Sequence, residues 1–93
     1  MAKCILCGND ESTIIHKDYG KIRWYICIYC GEFLITDTAE GKVIRDKVRM
    51  NLLSNRAKQC RENGLYLKIW SELGKLVSCA LTAEKFEKET ANT

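Results

Sequence analysis

Six cysteines stand in this 93-residue chain, and four of them form two tight pairs, Cys4-Ile5-Leu6-Cys7 and Cys27-Ile28-Tyr29-Cys30. Nineteen residues separate Cys7 from Cys27, and a glycine, Gly8 or Gly31, follows each pair. Two residues between cysteines allow a tight turn that aims both sulfurs at one ion. Thiolates satisfy zinc tetrahedrally at about 2.3 Å. A glycine after the second cysteine accepts the left-handed backbone of such a turn and leaves N–H groups free to bond the sulfurs. The pattern therefore predicts one structural Zn2+ on Cys4, Cys7, Cys27 and Cys30, because four thiolates leave no position open for a reacting water. A disulfide scaffold fits less well, since tight Cys-x-x-Cys pairs suit a metal better than bridges to distant partners.

Something must bring the two pairs together. Thr13 to Asp18 and Ile22 to Ile26 are β-branched and aromatic runs around Tyr19-Gly20-Lys21, which predicts a β-hairpin. Ile22, Trp24 and Ile26 alternate with Arg23 and Tyr25, the period of a half-buried strand, with Trp24 assigned to the core. Glu32 to Ile35 reads as a third strand. With these parts in place, residues 1–36 resemble a zinc ribbon, with two Cys-x-x-Cys-Gly knuckles and a three-stranded sheet. Ribbons often carry proline after the first cysteine of a knuckle, where this chain has Ile5 and Ile28; no ligand is lost by that departure. The remainder loosely resembles ribbon-plus-helix segments at the N-termini of some uncharacterised bacterial proteins, and that likeness implies no activity.

The expected fold is α+β: a small three-stranded zinc ribbon over residues 1–36, then an α-helical extension over 37–93 that packs on it as one module. A helix is predicted from Asp37, whose carboxylate can cap it, with Glu40 three residues on as in a capping box. It runs to Glu62 as one helix or two with a break near Asn51, and Asn63-Gly64 stops it. Ala39, Val43, Met50, Leu53, Ala57 and Cys60 share one side of it, but Asp46 intrudes, which suggests an imperfect stripe or a broken helix. Leu65, Leu67 and Ile69 suit a strand or a helix start. Residues 69–77 lean helical, and 83–90 read as a polar last helix.

Lys42, Arg45, Arg49 and Arg56 cluster on the same projection, and such a stripe either reads phosphates or keeps a flank solvated. Residues 36–63 hold seven bases and four acids, whereas bases and acids balance on either side, so the net +3 lives on the helix. Four zinc-bound thiolates bring −4 against the ion's +2 and leave the protein near +1. Dedicated nucleic-acid binders carry far more. Tyr25 and Tyr29 are the candidates for an exposed aromatic platform. His16, the lone histidine, reads as a surface strand residue; Cys60 and Cys79 read as small core residues.

No activated nucleophile, phosphate-cradling loop or carboxylate pair is evident, so no enzyme is expected. The absence of an apolar run of about 18 residues excludes a membrane helix, and Met1-Ala2-Lys3-Cys4 lacks the apolar core of a secretory signal, which predicts a cytoplasmic protein. The pattern predicts a non-catalytic module that docks a protein through Tyr25, Tyr29 and the Lys42, Arg45, Arg49 and Arg56 region. The runner-up is a nucleic-acid-binding regulator, as the ribbons of the transcription machinery imply. A rubredoxin-like electron carrier ranks third. A homo-oligomer through the helical region is compatible with all three.

Overall fold

The structure is a computed structural model that describes residues 3–91. Strands β1 (Thr13–Lys17) and β2 (Ile22–Cys27) form the expected hairpin across a short 3-10 turn, where Tyr19 and Gly20 have φ of 57° and 86°. Strand β3 (Gly31–Thr36) pairs antiparallel with β2, placing Tyr25 opposite Phe33 and Cys27 opposite Gly31. The chain then crosses over through α1 (Asp37–Ile44) and α2 (Lys47–Glu62) and returns as β4 (Tyr66–Glu72), parallel to β3. Strand β5 (Lys75–Leu81) folds back on β4, and α3 (Ala83–Ala91) ends the described chain. The sheet order is β1-β2-β3-β4-β5.

The fold is α+β, but β1–β3 are three strands of a five-stranded sheet instead of a three-stranded ribbon on its own. The segment expected as a helical extension supplies the other two strands, the first of them where Leu65, Leu67 and Ile69 suit a strand or a helix start. Residues 69–77 misled because Ile69, Leu73, Leu76 and Val77 mimic a helical repeat. Leu73 and Gly74, with φ of 51° and 79°, make a two-residue turn instead, and Glu72 pairs with Lys75 across it. Positive φ at both central residues suits the right-handed twist of a hairpin.

The long helix is broken at Arg45–Asp46, not near Asn51. Asp46 is the intruder on the apolar stripe, and its carboxylate accepts from the Arg49 N–H at 3.1 Å to cap α2. Thr36 rather than Asp37 caps α1, its hydroxyl accepting from Ala39 N–H at 3.3 Å. Glu40 turns inward. It accepts from Arg23 Nη1 at 2.6 Å and Tyr25 Oη at 3.1 Å, which ties α1 to β2. Asn63 and Gly64, the latter at φ 71°, end α2 where expected.

Both faces of the sheet are covered. Helices α1 and α2 lie over one, burying Phe33, Ile35, Leu67 and Ile69 with Val43, Leu53 and Ala57. Helix α3 covers part of the other, where Phe86 stacks on Tyr66 at 4.1 Å and meets Trp24 edge-on at 5.5 Å. Period-two alternation in β2 holds, but the deeper face carries Tyr25 and Cys27, not Ile22, Trp24 and Ile26. The α1–α2 crossover, invisible to a strand read alone, decides which face is deeper. None of the described helices is long and apolar enough to cross a membrane.

Candidate metal centre

The first knuckle occupies the loop before β1 and the second joins β2 to β3, so the β1–β2 hairpin carries both to one end of the sheet. In the first, Cys4 N–H donates to Asn9 O at 2.9 Å and Gly8 N–H to Cys4 O at 2.7 Å. The Gly8 amide therefore closes the turn on a carbonyl instead of bonding a sulfur. In the second, the Cys30 N–H does reach Cys27 Sγ, at 3.4 Å. Gly8 and Gly31 have φ of 78° and 82°, the left-handed backbone expected of the knuckles.

The four sulfurs converge. The Sγ atoms of Cys4, Cys7, Cys27 and Cys30 lie within 4.8 Å of one another. Cys4 to Cys30 is 3.9 Å and Cys7 to Cys27 is 3.5 Å. Ligands at about 2.3 Å on a tetrahedral ion stand about 3.8 Å apart. The cluster can hold one metal ion. Cys4, Cys27 and Cys30 are buried and Cys7 is exposed, so the ion would be shielded on three sides.

The protonation of the cluster explains why a cation suits it. Cys30 accepts the Cys4 S–H, and together with the Ser54 hydroxyl this outweighs burial and pushes the Cys30 thiol down to about 5. Cys4, as the donor and buried as well, is pushed far up. One proton thus reconciles two buried sulfurs. A divalent ion can do the same for all four, displacing the protons as it binds.

Helix α2 supports this centre, and two of the residues through which it does so were not anticipated from sequence. Ser54 Oγ lies 3.4 Å from Cys30 Sγ. Arg61 donates to the backbone carbonyls of Ile28 and Tyr29, and its stem lies over Gly31, where an added Cβ would come within 3.0 Å of Arg61 Cβ. Such outer groups orient ligands and offset the charge of four thiolates. The signal was available: Ser54 lies beside Leu53 and three residues before Ala57, on the face already assigned to burial.

The other site residues scatter. Tyr25 is only 3% exposed, stacked on Phe33 at 4.9 Å and bonded to Glu40, so the expected two-tyrosine platform does not form. Tyr29 is exposed at the tip of the second knuckle, beside exposed Ile28. The break at Arg45–Asp46 divides the cation stripe: Lys42 belongs to α1, Arg45 caps it, and Arg49 and Arg56 belong to α2. Lys42 donates to Gly74 O at 2.8 Å and Arg56 to Ser78 Oγ at 2.5 Å. His16 is exposed on β1, Cys60 is buried on α2, and Cys79 packs beneath α3.

No protein-family model, no curated protein and no solved structure matches this chain.

Proposed function

We propose that this chain is a non-catalytic binding module of the zinc-ribbon kind, whose structural Zn2+ holds the knuckles and whose helical side docks a protein partner in the cytoplasm. In this role it acts as an adapter, regulator or inhibitor. The observation that carries the reading is the closed cluster of four cysteine sulfurs. A tetrahedral ion filled by four thiolates has no place for substrate or water, so its work is to hold the fold. The partner surface is supported by Ile44, Val48 and Leu52, which are 61, 69 and 60% exposed at the end of α1 and along the outside of α2. Apolar side chains grouped outside a core mark interaction surfaces more often than bare solvent. Nucleic acid is the weaker reading, because the break at Arg45–Asp46 separates cations that a phosphate stripe needs in one row.

Elemental analysis and partner capture test both halves. Protein purified without chelator is expected to carry one zinc per chain and to be colourless. A red protein with thiolate-to-iron absorption would replace this reading with an electron carrier. Captured protein that survives nuclease and is lost on Val48→Asp with Leu52→Asp supports the partner half; capture that nuclease abolishes refutes it.

A further inference from the structure

Strand β5 is an edge. It pairs with β4 through seven consecutive residues, and its other side meets no backbone partner among the described residues. Exposed edges are usually blunted by charge, proline, a bulge or shortness. β5 has none of these defences: its sequence is KLVSCAL, with one charge at its first residue and an unbroken register. β1, the opposite edge, is shorter and carries His16 and Lys17.

A cleft of about 730 Å³ runs beside this edge, between α2 and β5. Leu52, Leu53, Leu76 and Val77 supply its apolar surface, and Arg49 and Arg56 are its charged groups. No acidic residue lines it. At the β4–β5 turn Lys75 stands opposite Glu72, and Lys42 donates to Gly74 O, so the turn adds no net negative charge beside the cleft. An unpaired strand edge, an apolar floor and two cations therefore coincide.

We propose that this cleft binds an extended acidic peptide segment of a partner protein, which adds to β5 as a sixth strand. Main-chain hydrogen bonds to the β5 edge hold the segment, and alternate side chains face α2. Arg49 and Arg56 are two helical turns apart, about 10.5 Å along α2. That span falls between the i,i+2 and i,i+4 repeats of one strand face, about 7 and 14 Å. Two flexible arginine stems can therefore meet two carboxylates, with apolar residues of the peptide on Leu52 and Leu76.

Two other occupants fit less well. A second copy paired through β5 would place both Arg49–Arg56 rows over the same sheet face, like charge beside like charge. A single-stranded nucleic acid would find no aromatic side chain in the lining on which to stack a base. The charge of the cleft and the open edge both favour acidic peptide.

The proposal rests on the protein-docking reading and narrows it to one surface. Fluorescence anisotropy with the full chain tests it, using a labelled nine-residue peptide of alternating glutamate and valine. That peptide is expected to bind with a Kd below about 1 mM. Arg49→Gln with Arg56→Gln should weaken it roughly ten-fold or more, while Lys58→Gln, elsewhere on α2, leaves it unchanged. The same peptide N-methylated at alternate backbone nitrogens should not bind, and neither should a lysine–valine version. Equal binding of the N-methylated peptide, or no binding of the parent, overturns strand addition. Tighter binding of (dT)12 lost in the double variant assigns the cleft to nucleic acid, and a dimer in sedimentation velocity broken by Leu76→Lys assigns it to a second copy. Nuclease-resistant partner capture that survives the double variant would sink this cleft while leaving the docking reading standing. Nuclease-sensitive capture would sink the docking reading itself.

Discussion

Around the knuckles, residues 4–30 bring three buried cysteines and Leu6 to the end of the sheet, and no helix or strand precedes Thr13 among the described residues. On the opposite face of the sheet, Leu34, Leu81 and Phe86 form a separate cluster with Trp24 and Tyr66, held by ordinary apolar packing beneath α3. The first region packs Leu6 and its buried cysteines into the core and also gathers four sulfurs that could hold a metal ion. With an ion on the cluster, this short chain would divide its stability between that ion and a core.

The largest effect is expected where the ion acts. Cys30→Ser removes the most buried sulfur, the one that meets both Cys4 and Ser54. It should release the metal and strip amide-exchange protection from the knuckles and β3, because structural zinc contributes about 10–16 kcal/mol in small zinc-binding peptides. Hydrogen exchange with metal analysis checks this. Retention of both metal and protection would remove the basis of the comparison.

Phe86→Ala strikes the packed region. Phe86 holds α3 through Tyr66 and Trp24, beside Leu34 and Leu81. Emptying that site should cost about 3–5 kcal/mol in urea unfolding. Metal content should not change, since the four cysteines sit in the loop before β1, at the end of β2 and at the β2–β3 junction, outside the cluster that holds Phe86. Zinc released by this substitution would show that the two regions are one cooperative unit.

The same contrast explains what could be read from sequence. Cysteine spacing and the glycines after each pair are local signals, so the clustering of the four cysteines and the hairpin between them were legible. Cap chemistry is local too: Asp46 within an apolar stripe pointed to a break, although the cap at Thr36 was missed by one residue. The five-stranded sheet was not legible, because β3 and β4 are joined across a whole α1–α2 crossover and pair in parallel. Tyr25 failed for the same reason. Only the crossover makes its face of β2 the deeper one. Ser54 and Arg61 reach the cysteine cluster from α2, more than twenty residues from the cysteine or loop each supports; helix phase puts Ser54 on the buried face, but cysteine spacing does not register either approach.

Tyr25 lies where the two regions meet, two residues before Cys27, stacked on Phe33 and donating to Glu40 of α1. Burial first, and then the Glu40 carboxylate, raise its phenol above the ordinary value near 10. The sign follows from the direction: the folded state holds the proton more tightly than the unfolded chain does. This stabilisation is complete below pH of about 10 and is lost as pH rises through the raised folded value. Tyr25→Phe keeps the stacked ring and removes both the hydrogen bond and the titration. Near pH 7 it should cost about 1–2 kcal/mol, the smallest of the three effects, since Arg23 still pairs with Glu40. Above pH 10 wild type should lose stability faster than the variant, and the gap between their urea midpoints should narrow. A gap that stays constant from pH 7 to 11 would mean that the hydroxyl is not buried against Glu40. A gap that closes while the metal remains bound would place the α1–β2 clamp outside the metal's cooperative reach.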